Sequence, residues 1–485
     1  MRRALLALLL FSPACMVGPN YKRPPAPVPP AYKEQPPPEF KEYMRQATPM
    51  EGAIRGKWWE VYHDPALNAL EEQVSISNQN VLAAEAQYRE ARAAVKVARS
   101  ALFPTLTTAP TANYSSISTN LGAGVVSSGG IVGGGAATAI RQTYTLPFDF
   151  SWELDIWGGI RRSIAAATDT AQTSAADLEN AKLSYQAAVA EDYFAMHGLD
   201  ARAKLLADSV MLYQQSLDLT QARFRQGVAA QTDVALAQTQ LETTRAQLID
   251  VGVQRSAYEH AIAILTGRPP AELTIPEVPW ITPPPPVPVG VPSALLQRRP
   301  DIAAAERAVA AANEEIGVAT AAYYPTLTLT GVAGLESSLF QKLFSWSSHF
   351  WSAGPQAAET ILDFGRRRGT LQETQAAYDF AAATYRQTVL SAFQQVEDNL
   401  AALRILDRES VAEDAAVKAA QQSLDLTMAQ YRQGLVDYIN VLTAQTVLLG
   451  NQATAIGILS SRMVASVMLI EALGGGWDAS QLPHR

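Results

Sequence analysis

Thr143-Tyr-Thr-Leu-Pro-Phe-Asp-Phe-Ser-Trp-Glu-Leu-Asp-Ile156 alternates without a break. Its even positions are Tyr144, Leu146, Phe148, Phe150, Trp152, Leu154 and Ile156; its odd positions are Thr143, Thr145, Pro147, Asp149, Ser151, Glu153 and Asp155. Successive side chains of a strand point to opposite faces, so this stretch has one aromatic-rich apolar face and one polar face. A strand with lipid on one side and water on the other needs that division. A soluble sheet packed on a core shows it too. Thr326 to Thr330 alternates over a shorter run, and Thr105–Ser118 and Phe350–Asp363 are weaker strand candidates. Gly122 to Gly135 reads as a glycine-rich loop between the first two strands. Four strands cannot close a membrane barrel, since the smallest barrels have eight. Several copies must therefore share one barrel. The sequence leaves their number open; three copies would supply twelve strands.

Helical stretches flank these strands. Ala66–Leu102 and Ser293–Tyr323 each read as a helix, with Pro300 in the first turns of the second. No proline occurs between Pro147 and Pro269 or between Pro355 and Pro483, and 160–226 could form one helix of about 100 Å. Leu206, Val210, Tyr213, Leu217, Thr220 and Phe224 follow heptad spacing, which resumes at Val234, Ala237, Leu241, Thr244 and Leu248. Val417, Ala420, Leu424, Thr427 and Tyr431, then Val441, Ala444 and Leu448, repeat the pattern. These are coiled-coil seams. Gly227 and Gly434 sit where each long helix should reverse.

The two sides of a proline-rich divide, Pro276 to Pro292, resemble each other. Ser216-Leu-Asp-Leu-Thr…Arg225-Gln-Gly227 recurs as Ser423-Leu-Asp-Leu-Thr…Arg432-Gln-Gly434, with 14 identities in 26 positions over 216–241 and 423–448. Phe103-Pro-Thr-Leu106 recurs as Tyr324-Pro-Thr-Leu327, and Asp155-Ile-Trp-Gly158 loosely as Asp363-Phe-Gly365. The shared order points to an internal tandem duplication. The expected organisation is an export signal over 1–14, an extended segment over 15–64 and a first repeat over 65–274. A linker over 275–292, a second repeat over 293–476 and a tail over 477–485 complete it.

The start of the chain reads as an export signal: Arg2 and Arg3, the apolar run Ala4–Phe11, then Ser12-Pro13-Ala14 and Cys15. Cys15 is the only cysteine of the 485 residues, which excludes a disulfide framework and suggests acylation (a palmitoylated lipoprotein start) at that position. Pro24 to Pro38 should be an extended linker. No other run of 18 apolar residues is apparent, so a membrane-spanning helix is not expected; a chain that crosses a membrane without one does so as a closed barrel.

Further motifs make the resemblance specific: Cys15-Met-Val-Gly-Pro-Asn-Tyr-Lys-Arg-Pro24, Leu295-Leu-Gln-Arg-Arg-Pro-Asp-Ile302, Ala322-Tyr-Tyr-Pro-Thr-Leu327 and Ala472-Leu-Gly-Gly-Gly-Trp477. With them the chain resembles the TolC and OprM family of outer-membrane efflux channels over nearly its whole mature length, closer to the OprM and NodT branch. The resemblance implies an α+β membrane protein: a homotrimer with a twelve-stranded β-barrel and a long periplasmic α-helical barrel. It also implies a lipid-anchored protein of the outer membrane that passively conducts substrates. Its implied partners are a periplasmic adaptor (membrane fusion protein) and an inner-membrane pump, often of the resistance-nodulation-division (RND) class. The helix reversals become a periplasmic tip that closes at rest. Thr232, Asp233 and Tyr431 match residues of the hydrogen-bond network that holds the TolC tip closed, with Arg225 and Arg432 as nearby partners. The chain departs from TolC at Val436, where TolC has arginine, and at Asn440 and Thr443, where TolC has aspartates. Asp233 and Asp437 are the acids available to charge this entrance, and Leu435 and Val436 could close it by apolar packing.

Other classes of function have little to rest on. The net charge of −8 offers no basic field to nucleic acid. His63, His197, His260, His349 and His484 are scattered without metal-ligand spacing. The glycine-rich loop lacks the lysine of a phosphate-binding loop, and no nucleophile and base stand together. No enzyme activity and no cofactor are expected. A periplasmic coiled-coil adaptor or scaffold would explain the helices and linkers but not the alternation at 143–156.

Overall fold

A computed structural model of the chain describes residues 16–34, 56–116, 140–279, 282–287 and 292–483. Cys15, the expected export signal before it and the expected 122–135 loop lie outside the described residues.

Each half runs through two helices, a strand pair, one very long helix and one shorter helix. The first contains α1 (Pro65–Ser77), α2 (Gln79–Ser100), β1 (Thr105–Thr108), β2 (Thr111–Ser116), β3 (Ile140–Leu154), α3 (Gly159–Arg225) and α4 (Gln231–Leu265). The second contains α5 (Pro292–Arg298), α6 (Pro300–Ala321), β4 (Thr326–Ser337), β5 (His349–Ala358), α7 (Arg366–Gln433) and α8 (Tyr438–Ala472). The long helices have 67 and 68 residues and the shorter ones 35 each. At 1.5 Å per residue, α3 and α7 are each about 100 Å long.

Local chemistry sets the breaks. The helix expected over Ala66–Leu102 is two, because the extended Asn78 caps α2: its side-chain oxygen accepts from Asn80 N (2.9 Å) and Val81 N (3.1 Å). The same side chain donates to the Leu265 carbonyl at the end of α4. The helix expected over Ser293–Tyr323 breaks at Arg299, which Pro300 holds out of helical geometry; Pro300 is then the first residue of α6. Ala109-Pro110 divides the first strand into β1 and β2, since proline supplies no ladder N–H. The alternation read to Ile156 stops as a strand at Leu154. Asp155 instead accepts from the N–H groups of Ile160 (3.0 Å) and Arg161 (3.1 Å) at the start of α3, and Arg161 Nε pairs with it. Asp363 does the same for α7 through Gly365 N, Arg367 N and Arg367 Nε. Gly158 (φ 79°) and Gly365 (φ 93°) take the left-handed turn at each junction. The repeated Asp…Gly pattern is thus a strand-to-helix hinge. Its ion pair with Arg367 holds the Asp363 carboxyl below the usual range.

The main core lies farther along α3 and α7, away from the hinges, where Trp58, Tyr62, Leu67, Phe194, Ile302, Tyr385 and Met463 are buried together. Burying each large apolar side chain contributes about 1.5–3 kcal/mol. The proline-rich start, expected as a linker, is a docked strap as far as it is described. Val17 N–H donates to the Trp157 carbonyl, Asn313 Nδ2 to the Pro19 carbonyl, Tyr21 to Glu306 and Arg23 to the Tyr385 hydroxyl. At its far end Lys33 N donates to Glu397, and Arg404 pairs with Glu34. The buried Arg162–Glu314 pair (2.7 Å) sits beneath, with Arg162 also donating to the carbonyls of Val17 and Gly18. Gly18 has φ 95°, and a Cβ there would lie 2.6 Å from Gly317 Cα.

The linker between the halves is also held. Asp200 accepts from Val278 N and Arg255, while Glu259 accepts from Ile275 N. One expectation about helices is corrected: α8 is long and apolar enough, by length and composition, to cross a membrane. No uninterrupted apolar run marks it, because Thr, Gln, Asn and Gly are interspersed. It packs against α7 and α3 and buries Met463, Val467, Leu469 and Ile470.

Candidate functional site: a two-faced sheet and a helical tip

The strands form one antiparallel sheet in the order β1–β3–β4–β5, with β2 also on β3. Its register carries the alternation of 143–156 across neighbours. Leu146 faces Leu335, Phe148 faces Ala333, Phe150 faces Gly331 and Leu106, and Ala333 faces Trp351. On the other face Thr145 opposes Glu336, Ser151 opposes Thr330, Glu153 opposes Thr328 and Thr107 opposes Asp149. The apolar face is not covered by the chain: Leu106, Tyr114, Phe148 and Trp351 are all exposed. Aromatics gather at both of its ends. Near the helices, Trp152 Nε1 donates to the Leu102 carbonyl and Trp157 stacks on Tyr324. At the far end Tyr114 and Tyr144 share a hydroxyl hydrogen bond, and Phe340 packs on Tyr144. An apolar band between aromatic girdles is what a barrel strand presents to a bilayer.

The opposite end of α3 and α7 carries the second feature. After α3, Gly227 (φ 76°) reverses the chain, with Val228 N–H donating to the Arg223 carbonyl; after α7, Gly434 (φ 79°) does so with Leu435 N–H on the Gln430 carbonyl. Both are Schellman-type ends that only a residue tolerant of positive φ makes without strain. Between the two hairpins Tyr213, Leu217, Ala237, Leu241, Tyr431, Tyr438 and Val441 form a small core. The seams read from heptad spacing are its ingredients.

Polar bonds cross this core. Tyr431 OH donates to Thr220 Oγ1 (3.3 Å), Gln445 Nε2 to Ser216 Oγ (2.9 Å) and Tyr213 OH to the Gln445 carbonyl (3.3 Å). Arg223 spans the hairpins: its Nη1 donates to the Arg432 carbonyl (3.1 Å), and its guanidinium lies 4.7 Å from the Tyr431 ring centre. Tyr431 also meets Tyr438 edge to face. Burial pushes the Tyr213 and Tyr438 hydroxyls up, so both stay protonated donors.

The six tip residues expected to act together divide within the chain. Tyr431 is in the crossing network. Asp233 accepts from Ala230 N (3.2 Å) at the start of its own helix. Arg225 turns back to the Gln221 carbonyl, and Asn440 to the Asp437 carbonyl. Thr232 and the Arg432 side chain are exposed. Arg223, Thr220 and Gln445 were missed as partners. Their signal was available: Thr220 and Tyr431 are both seam positions, and Arg223 lies one turn past Thr220.

The Outer membrane efflux protein family model matches residues 70–268 and 291–475. The chain is 30% identical over 488 residues to the probable efflux pump outer membrane protein TtgC of Pseudomonas putida, covering 98% of this chain and 96% of that protein. It is 30% identical over 488 residues to the outer membrane protein OprJ of Pseudomonas aeruginosa, covering 99% and 97%. The solved outer-membrane channel OprN superposes with a TM-score of 0.84 at 28% identity, over 96% of this chain and all of that one. These similarities give no support to a periplasmic adaptor or scaffold, and the family is one of transport proteins and not of enzymes. The chain belongs to the outer membrane efflux protein family and is an outer-membrane efflux channel protein.

Proposed function

We propose that three copies of this chain close one twelve-stranded β-barrel, continued by a helical barrel of their long helices, and that this duct passively carries what an inner-membrane pump delivers. The observation that carries the proposal is the open sheet. Among the described residues, the outer edges of β1, β2 and β5 have no strand partner, while one sheet face is apolar and exposed. Unpaired edges in lipid cost several kcal/mol per group. Joining β5 of one copy to β1 and β2 of the next removes them all. With β1 and β2 counted as one interrupted strand, each copy brings four strands. The matched lengths of α3 with α7 and α4 with α8 support a tandem duplication of 65–274 and 293–476.

Relatives named as efflux pump outer membrane proteins support a tripartite assembly with a periplasmic adaptor and an inner-membrane pump, of the RND class by resemblance. The adaptor meets the tip, where Val228, Leu435 and Ile439 are exposed. Thr232, Asp233, Tyr431, Arg225, Arg432 and Asn440 belong to the resting gate. The crossing bonds of Arg223 and Tyr431 hold each copy's two hairpins together in that state. Acylation at Cys15 is consistent with its neighbour: Met16 lies against Gly158, beside the strand-to-helix hinge where the bilayer surface would be.

Membrane-extracted protein run on a gel with and without heating tests the duct. A trimer band that collapses to monomer on heating is expected. A monomer in both lanes, with cross-linking of β5 to β1 absent, overturns it.

A further inference from the structure

The connection between β4 and β5, residues 338–348, lies at the sheet end away from the long helices. It contains Leu339, Phe340, Phe344 and Trp346, all exposed, with Phe344 at 71% and Trp346 at 87%. Such residues at a loop tip in plain water would be an unfavourable apolar patch. Yet the loop is tightly built. Ser345 Oγ and Ser348 Oγ both donate to the Lys342 carbonyl (2.7 Å each), Ser337 Oγ donates to the Leu339 carbonyl, and Leu339 N–H donates back to Ser337 Oγ. Leu343 is buried beneath it. Loop polar groups that are satisfied internally can leave water without the usual cost.

The loop's direction is fixed by its contacts. Phe340 packs on Tyr144, with ring centres 5.5 Å apart, and Trp346 packs on His349, 4.6 Å apart. Tyr144 belongs to the apolar face. His349 opposes Leu335, which opposes Leu146, so His349 is on that face too. The aromatics therefore fold outward over the apolar band and not across the polar face that would line a pore. From Ser337 to Ser352 the chain has Lys342 and His349 and no acid, and Lys342 is exposed.

From this geometry we propose that the β4–β5 connection is a docking face for the outer leaflet: Phe340, Phe344 and Trp346 enter the lipid at headgroup depth, and Lys342 pairs with lipid phosphate. The partner is an anionic, phosphate-bearing lipid surface. Tryptophan favours this depth, phenylalanine adds apolar area that buries at the headgroup–acyl boundary, and a lysine beside them adds attraction to anionic headgroups. The inference rests on the barrel reading, which sets this loop at the outer membrane surface.

The test uses the full-length chain with Cys15→Ser, which leaves no native thiol, and Ser347→Cys carrying an environment-sensitive fluorophore. The protein is reconstituted in phosphatidylethanolamine–phosphatidylglycerol vesicles. The expected result is blue-shifted emission, quenched by spin-labelled phosphatidylglycerol and not by iodide. A label at Gln433→Cys, on the tip, should behave oppositely. Lys342→Glu should reduce quenching by the spin-labelled anionic lipid more than by a spin-labelled neutral lipid. Iodide quenching at 347 would mean a loop in water, and protection from both quenchers a loop covered by protein; either overturns the proposal. The heat-dissociable trimer band of the same samples is scored separately. Its absence sinks the barrel reading, whereas its presence with a water-exposed label sinks only the docking face.

Discussion

Replacing Arg223 by methionine together with Tyr431→Phe should open the tip. Methionine keeps much of the side-chain length and removes the guanidinium. Lost with it are the charged hydrogen bond to the Arg432 carbonyl and the contact over the Tyr431 ring. Such a bond is worth about 1.5–3 kcal/mol and the ring contact about 0.5–1 kcal/mol at a partly exposed site. Tyr431→Phe removes the bond to Thr220, a further ~0.5–1.5 kcal/mol. Even a loss of roughly 2 kcal/mol per chain, multiplied over the three copies of the proposed trimer opening in one step, shifts the open-to-closed ratio by about 10⁴. Single channels in planar bilayers should show a higher open probability and conductance than the wild type. Arg225→Met, whose guanidinium bonds the Gln221 carbonyl of its own helix and does not cross to the other hairpin, should open the tip less than the double variant. Asp233→Ala should fray the start of α4, where the carboxylate accepts from Ala230 N in the first turn, costing about 0.3–1 kcal/mol, and adds to the opening where Asp233 also bonds a neighbouring copy. Unchanged conductance in the Arg223 and Tyr431 double variant, with a rise when Leu435 and Val436 are made serine, would falsify the latch and move the gate to the apolar constriction.

Phe150→Arg should hinder membrane assembly by about 2–4 kcal/mol, while Ser151→Arg on the opposite face should assemble; equal trimer yields would reverse the sheet orientation. Cys15→Ser should abolish metabolic lipid labelling while the trimer persists, and undiminished labelling would end the acylation proposal. Arg162→Met strands the buried Glu314 carboxylate and should cost about 3–5 kcal/mol, read as a lower melting temperature that Glu314→Gln in the same chain partly restores. Burial, with Glu471 nearby, raises the Glu191 carboxyl from 4.5 to about 7. The folded state thus holds this proton more tightly than the unfolded chain. The stability it supplies is complete below 4.5 and declines as pH rises through about 7, so melting temperature should fall over that window and fall less in Glu191→Gln. Identical pH profiles would show that Glu191 is not the titrating group.

Features that depend on local periodicity were readable in the sequence. Alternation at 143–156 gave the faces of β3, and heptad spacing gave Tyr213, Thr220, Tyr431 and Val441 as seam positions that the structure buries. Gly227 and Gly434 could be assigned because a helix reversal requires positive φ there. Contacts between distant segments were not readable. Nothing in Asn78 announces a partner at Leu265, and a heptad does not say which seam crosses which. Arg225 and its repeat Arg432 stand out by their shared location at the two helix reversals. Arg223 aligns instead with Gln430, and the asymmetry between the halves is what aims it at the other hairpin. Proline content does not announce that the start is fastened, since its partners are single groups spread over the β3–α3 junction, α3, α6 and α7.

The strap has a temporal consequence. Residues 16–34 are made before their partners, and the bonds from Tyr21 and Glu34 reach groups 285 residues away at Glu306 and 370 away at Arg404. Closing so long a loop is slow. The far end of the strap, around Glu34, therefore stays accessible until most of the second half has emerged and folded, whereas Val17 and Gly18 have partners in the first half. A protease that cuts only undocked strap would act as a clock for maturation, reporting in one cleavage whether the last long helix has found its place beside Lys33 and Glu34.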